Sequence, residues 1–118
     1  MECMPEGRGM VEATLLPDAI IILVNGCNQG AQGFGLATAS TLEALIYDPI
    51  KAVGQRFSTG SRSTIARLHH SCALLLLDGT LMVAGSNPVQ MPVLTPVSNQ
   101  IPSEDYVTEF RVEIYTPP

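Results

Sequence analysis

Apolar residues fall in short, nearly continuous runs along this chain, each closed by turn-forming residues. The first run, Gly9 to Leu16, stops at Pro17-Asp18. A second, Ala19 to Val24, stops at Asn25-Gly26, residues that tolerate positive φ. The pattern returns with His69 to Leu77, an Asp78-Gly79 turn, and Thr80 to Ala84 before Gly85-Ser86. Asp-Gly between apolar runs is a strong hairpin signal. Runs this apolar, and this short, predict strands buried on both faces rather than helices.

The two hairpins read as one unit written twice. Placing Asp18 on Asp78 sets Leu15-Leu16 on Leu75-Leu76 and Ile21-Ile22-Leu23 on Leu81-Met82-Val83. A third segment recurs with a longer offset: Leu45-Ile46-Tyr47-Asp48-Pro49 matches Glu113-Ile114-Tyr115-Thr116-Pro117. The extra residues fall in a Pro-, Ser- and Asn-rich connection, 87–109, which reads as a surface loop. Gln55-Arg56-Phe57 reads as a short outer strand of the first copy. The pattern therefore predicts an all-β chain of two adjacent antiparallel blades, a partial kelch-type β-propeller. Blade-like repeat 1 covers about 9–60 and blade-like repeat 2 about 65–118. One blade cannot bury its own faces, and propellers close with four or more. A chain of two therefore reads as a piece of a larger protein, prone to associate through its open faces and edges.

Composition narrows the class. At 118 residues the chain holds one small domain, and with 46% hydrophobic and 14% charged residues it is not built for disorder. Six basic against eleven acidic side chains give a net charge of −5, which argues against nucleic acid or an anionic membrane as partner. No apolar run is long enough to span a bilayer. The opening residues, Met1 to Arg8, lack the basic-then-apolar pattern of a secretory signal. That points to a cytosolic chain, or to a first residue that is not the start of the gene product. Cys3, Cys27 and Cys72 are odd in number and widely spaced, so they form neither a disulfide framework nor a CxxC metal site and read as structural thiols.

Few residues carry chemistry. His69-His70 is the one pair of imidazoles, but neighbours on a regular strand point to opposite faces. Both can reach one metal only if the chain bends there. Asp18 and Asp78 read as turn formers. Gly30 and Gly33-Phe34-Gly35 have the spacing of a phosphate-cradling loop without its helix or its Lys-Ser/Thr, so a flexible inter-strand loop is expected. Arg8 and Arg67 precede the first strand of each copy, where they can tie neighbouring strands together. Glu109 and Arg111 are expected on a solvated edge.

Taken in order, Met4-Pro5-Glu6-Gly7-Arg8, Leu15-Leu16-Pro17-Asp18, Asn25-Gly26, Tyr47-Asp48-Pro49, Ala66 to Ser71, Leu75 to Pro88 and Thr108 to Glu113 resemble the later kelch-type blades of fungal glyoxal oxidase. That family comprises copper-radical oxidases related to galactose oxidase. The resemblance covers nearly the whole chain. It implies a secreted enzyme that oxidises a small aldehyde with O2, giving a carboxylic acid and H2O2. It also implies one copper held by two imidazoles and two tyrosines, one of them cross-linked to a cysteine as a radical store. Copper(II) favours such tetragonal N and O ligation. The family reads Arg-Leu-Tyr-His-Ser where this chain reads Arg67-Leu68-His69-His70-Ser71. The resemblance thus implies His70 as an equatorial metal ligand. His69 falls at the axial tyrosine position, where the family's proton-accepting base stands. The radical pair and the last histidine lie outside the matched segment, and none of the three cysteines aligns with the cross-linked one. The leading expectation is a fragment of a glyoxal-oxidase-like protein, inactive by itself. The alternatives are a non-catalytic kelch-type binding module and a truncated gene product.

Overall fold

A computed structural model describes residues 2–94 and 107–118. Among them every regular element is a strand: β1 (Glu12–Leu15), β2 (Ile21–Val24), β3 (Cys27–Gln29), β4 (Thr38–Ser40), β5 (Glu43–Tyr47), β6 (Phe57–Arg62), β7 (Ser71–Leu75), β8 (Leu81–Gly85) and β9 (Val112–Tyr115). No helix of the described residues is long and apolar enough to cross a membrane. The first sheet runs β1-β2-β5-β6 and the second β7-β8-β9, while β3 and β4 form a separate two-stranded ribbon. All neighbours are antiparallel.

The internal repeat extends to register. Leu15 faces Ile21 as Leu75 faces Leu81, and Glu12 faces Val24 as Cys72 faces Ala84. On the other side, Ile22 faces Ile46 as Met82 faces Ile114. The turns match bond for bond. Leu16 N–H donates to Ile20 O at 2.8 Å, and Leu76 N–H to Thr80 O at 2.8 Å. Asp18 Oδ1 accepts from Ile20 N–H at 3.2 Å, and Asp78 Oδ1 from Thr80 N–H at 3.0 Å. Both aspartates thus act as turn formers.

One position breaks the match. Gly79 sits at φ +85°, and its counterpart Ala19 sits at φ +69°. A Cβ in the left-handed region costs ~1–2 kcal/mol. Ala19→Gly is therefore expected to raise stability by about 1 kcal/mol, read as a higher urea midpoint with an unchanged slope.

The core lies between the two sheets. Leu16, Ile22, Val24 and Ala44 pack against Leu81 and Val83, with Ala73, Leu75 and Tyr115 closing around them. Ile22 and Leu81 are fully buried, and each such side chain contributes roughly 1.5–3 kcal/mol relative to exposure. Two buried arginines tie the strands. Arg8 Nη1 donates to Glu43 O at 3.0 Å and Leu23 O at 3.5 Å. Arg67, with no exposed surface, donates to Gly85 O at 2.6 Å and Arg111 O at 2.9 Å. Its guanidinium also pairs with Glu113 Oε2 at 3.2 Å.

Three elements differ from the sequence reading. The outer strand of the first sheet begins at Phe57 rather than spanning Gln55 to Phe57. Its register is set by Tyr47 facing Phe57, whose rings lie 4.9 Å apart. The polar run Ser58 to Arg62 is then drawn into the sheet by β5, across a bulge between Glu43 and Leu45. The second difference is the β3–β4 ribbon, which forms within a stretch read as loop. Residues 95–106 of the 87–109 connection lie outside the described residues. Third, the strands read from Gly9 and His69 start later, because Met10 and His70 both sit at φ +54°.

Glu109 and Arg111 stand just ahead of β9. Glu109 Oε1 accepts from Arg111 Nε and from Arg111 N–H, each at 2.8 Å, and Oε2 from Nη2 at 2.6 Å. The Arg111 guanidinium holds the Glu109 carboxyl down to about 2, below its ordinary 4.5. A depressed acid contributes stability that is complete above 4.5 and is lost as pH falls toward 2. Arg111 is largely exposed, so solvent screens much of the gain. Glu109→Gln is expected to flatten the acid side of the stability profile, measured as thermal midpoints across that pH window, by lowering the plateau above 4.5 slightly while matching the wild type near pH 2.

Candidate metal centre

The candidate centre sits where the chain enters β7. The segment before it is held on both sides. Leu68 N–H donates to Ser86 Oγ at 3.1 Å, Asn87 N–H donates to His69 O at 2.8 Å, and Gly26 N–H donates to Arg67 O at 2.8 Å. Clamped in this way, the chain reverses at His70, whose φ of +54° is rare for a residue with a side chain. The bend that the sequence required for a shared metal is present. The His69 and His70 rings lie 3.9 Å apart between centroids, instead of pointing to opposite faces.

Their environments differ. His69 is buried, with 4% of its surface exposed, while His70 is open to solvent. Burial, with the neighbouring His70 second, pushes the His69 imidazole below its ordinary 6.5, against an opposing Asn87 backbone contact. His69 is therefore neutral at pH 7. Its Nε2 accepts a long hydrogen bond from Gly33 N–H at 3.4 Å, and its Nδ1 is buried without a partner.

A loop whose place here no local signal indicates completes the surroundings. Phe34, between β3 and β4, stands edge-to-face with both imidazoles, its ring centroid 6.0 Å from that of His69 and 5.7 Å from that of His70. Half of its surface remains open. The loop is held rather than free, because Gly35 N–H donates to Pro88 O at 2.7 Å. At Gly30, φ +96°, a Cβ would lie 1.9 Å from Leu36 O, so the turn back toward β4 needs glycine. Glycine and one aromatic were the visible signals; their proximity to the histidines comes from long-range backbone bonds.

Next to His70, a polar cluster joins the two sheets. Ser71 Oγ donates to Glu12 Oε1 at 2.9 Å, and Asn25 Nδ2 donates to Glu12 Oε2 at 2.9 Å. Burial pushes the Glu12 carboxyl up, against those two bonds. Glu12→Gln is expected to keep the acceptor facing Asn25 Nδ2 and to reverse the Ser71 bond, its amide donating to Ser71 Oγ, and to change stability by less than about 1 kcal/mol, read in the same denaturant assay. Cys27 is buried, Cys3 and Cys72 are exposed, and all three are free thiols.

The pair fits part of a copper site and no more. Two adjacent imidazoles are the donor type that copper(II) takes. A tetragonal centre needs further ligands, and among the described residues no group of three His, Cys, Asp or Glu side chains stands together to hold a metal.

An all-β chain of repeated antiparallel hairpins, with an imidazole pair at one strand entry, is the class that fold and site define. The chain belongs to the glyoxal oxidase N-terminus family, whose profile matches residues 1–118. It is 40% identical over 118 residues to a WSC domain-containing protein of Arthroderma benhamiae, covering 100% of this chain and 11% of that protein. It is 39% identical over 117 residues to aldehyde oxidase GLOX1 of Arabidopsis thaliana, covering 99% of this chain and 18% of that protein. It is 37% identical over 117 residues to aldehyde oxidase GLOX of Vitis pseudoreticulata, covering 99% and 21%. The chain thus spans between 11% and 21% of the length of these relatives.

Proposed function

We propose that this chain is a segment of a secreted, glyoxal-oxidase-like copper-radical oxidase, and that it contributes His70, with His69 beside it, to the copper centre. Residues of about 9–60 and 65–118 are then two neighbouring blade-like repeats of a kelch-type propeller. The observation that carries the reading is the left-handed bend at His70, which gathers two imidazoles that a straight strand would separate. The overall reaction is aldehyde, water and O2 to carboxylic acid and H2O2. Bound copper would supply a one-electron acceptor and a site for the aldehyde oxygen.

The chain's own residues have narrower tasks. His70, exposed, would be the first ligand and His69 a second. His69, neutral and buried, stands where the family has its proton-accepting tyrosine, and a neutral imidazole can accept a proton near pH 7. Phe34 bounds the open side of the pair with an apolar ring. An aldehyde gives up two electrons and copper(II) takes one, so a second acceptor must come from outside these 118 residues. The copper-loaded chain alone is accordingly expected to make no H2O2 from glyoxal or methylglyoxal above the free-copper background. Aldehyde-dependent peroxide from the chain alone would overturn the reading. A second reading, a non-catalytic kelch-type binding module, is favoured by the replacement of the axial tyrosine with His69. It predicts no copper affinity that depends on His70.

A further inference from the structure

The left-handed bend at His70 is not peculiar to the histidines. Met10, its counterpart in the first copy, has the same φ of +54°. The repeat therefore makes a bend at each strand entry, and a separate contact must fix where the bent segment lies. Its imidazoles meet a loop of the β3–β4 ribbon, which leaves the first sheet between β2 and β5. That loop brings Phe34 against both rings, and its Gly33 N–H reaches His69 Nε2. The pair thus lies on a seam, with the imidazoles on the second sheet's side and their neighbours on the first's.

A closed ring of three side chains crosses that seam. Ser71 Oγ donates to Glu12 Oε1 at 2.9 Å, Asn25 Nδ2 donates to Glu12 Oε2 at 2.9 Å, and the same Nδ2 donates to Ser71 Oγ at 3.2 Å. Glu12 opens β1 and Asn25 follows β2, whereas Ser71 opens β7 directly after His70. The ring is not a requirement of the repeat. The register sets Val11 on Ser71 and Cys72 on Glu12. Valine has no polar side-chain atom, so the bend at Met10 carries no such tie. Among the described residues no basic side chain forms an ion pair with Glu12. What the carboxylate supplies is two accepted hydrogen bonds, and a polar network with its bonds made is rigid.

We propose that Glu12 is a positioning residue for the imidazole pair. Through Ser71 it fixes the entry of β7 against the first sheet, and so holds His70 beside His69 and both rings beside Phe34. Its bearing on copper rests on the reading of His70 as a ligand, while the placement of the rings does not. The ring of bonds joins two sheets inside the chain and is indifferent to what covers their outer faces. Groups that orient a metal's ligands affect affinity almost as strongly as the ligands do.

The test is proton NMR of the metal-free 118-residue chain, followed by copper(II) titration. The chain has two histidines, so each imidazole is followed by its own signals. The wild type is expected to show nuclear Overhauser contacts between the His69 and His70 rings, whose centroids lie 3.9 Å apart, and from both rings to Phe34. Glu12→Ala and Ser71→Ala break the same bond from opposite sides. Each should at least halve the contacts of His70 with His69 and Phe34, and the second serves if the first loses its strand signal in far-UV circular dichroism. Glu12→Gln keeps a bond to each partner and should restore the wild-type contacts, a rescue that a role through charge would not allow. Copper(II) affinity should follow the same order, falling about tenfold in the alanine variants and staying near wild type in Glu12→Gln. Unchanged ring contacts in a folded Glu12→Ala or Ser71→Ala chain overturn the proposal. So do a Glu12→Gln chain that behaves as Glu12→Ala and a wild type without the contacts. A wild type that shows the ring contacts but binds no copper through His70 refutes the copper reading instead, and the contacts in the variants then decide the role of Glu12.

Discussion

Replacing Arg67 by alanine is expected to abolish cooperative folding of the chain. The guanidinium is fully buried and makes four directed contacts: Gly85 O, Arg111 O and two approaches to Glu113 Oε2. Among the described residues Glu113 then keeps one side-chain partner, Ser63 Oγ at 2.7 Å. Removing one member of a buried pair costs about 3–5 kcal/mol, and each orphaned buried carbonyl adds about 1–3 kcal/mol. Together these approach the ~5–15 kcal/mol of a whole domain. Arg67→Lys keeps the charge but loses the planar fork, and should recover part of the loss. Arg8→Ala removes a guanidinium that reaches two carbonyls and approaches a carboxylate only at 3.8 Å, and should cost less. Urea unfolding of the three variants decides the ranking. An Arg67→Ala chain within about 1 kcal/mol of wild type would refute the assignment of Arg67 as the tie between β7–β9 and the segment leading into them.

The second large effect concerns copper. His70→Ala is expected to weaken copper(II) binding by at least about tenfold, the scale on which metal sites respond even to loss of supporting groups. Asp78→Ala should leave binding unchanged, since Asp78 closes an exposed turn on Thr80. Phe34→Ala should act in between. It removes the ring edge from both imidazoles and so loosens their mutual placement, but it removes no donor. Titration followed by the copper(II) absorption band distinguishes the three. Equal affinity in the His70 and Asp78 variants would mean that copper binds elsewhere.

How much of this was legible in the sequence depended on local signals. The paired hairpins were, because Asp18 and Asp78 mark equivalent turns and alternation fixes which apolar residues share a face. The arginine ties were legible as positions, though not as partners, since Gly85 and Arg111 offer backbone oxygens that no residue type advertises. The strand Phe57–Arg62 was partly hidden: Ser-Thr-Gly-Ser carries no apolar alternation, and its pairing is imposed by Tyr47 on Phe57. The β3–β4 ribbon was invisible for a related reason. It hangs on backbone bonds such as Cys27 N–H to Gly9 O and Thr41 N–H to Gly26 O, both at 2.9 Å. At the candidate centre, residue type named the histidines, and only the positive φ at His70 explains how neighbours meet. Phe34 was missed because its closeness to them is set by Gly35 on Pro88, a contact far along the chain.

The central expectation is that His69 and His70 act on one metal ion. Electron paramagnetic resonance of the chain loaded with less than one equivalent of copper(II) reads this directly, through couplings from the nitrogens bound to the metal. Couplings from two imidazole nitrogens are expected in the wild-type chain, fewer after His69→Ala, and loss of the bound-copper signal at the same loading after His70→Ala. Identical spectra in all three chains would contradict it.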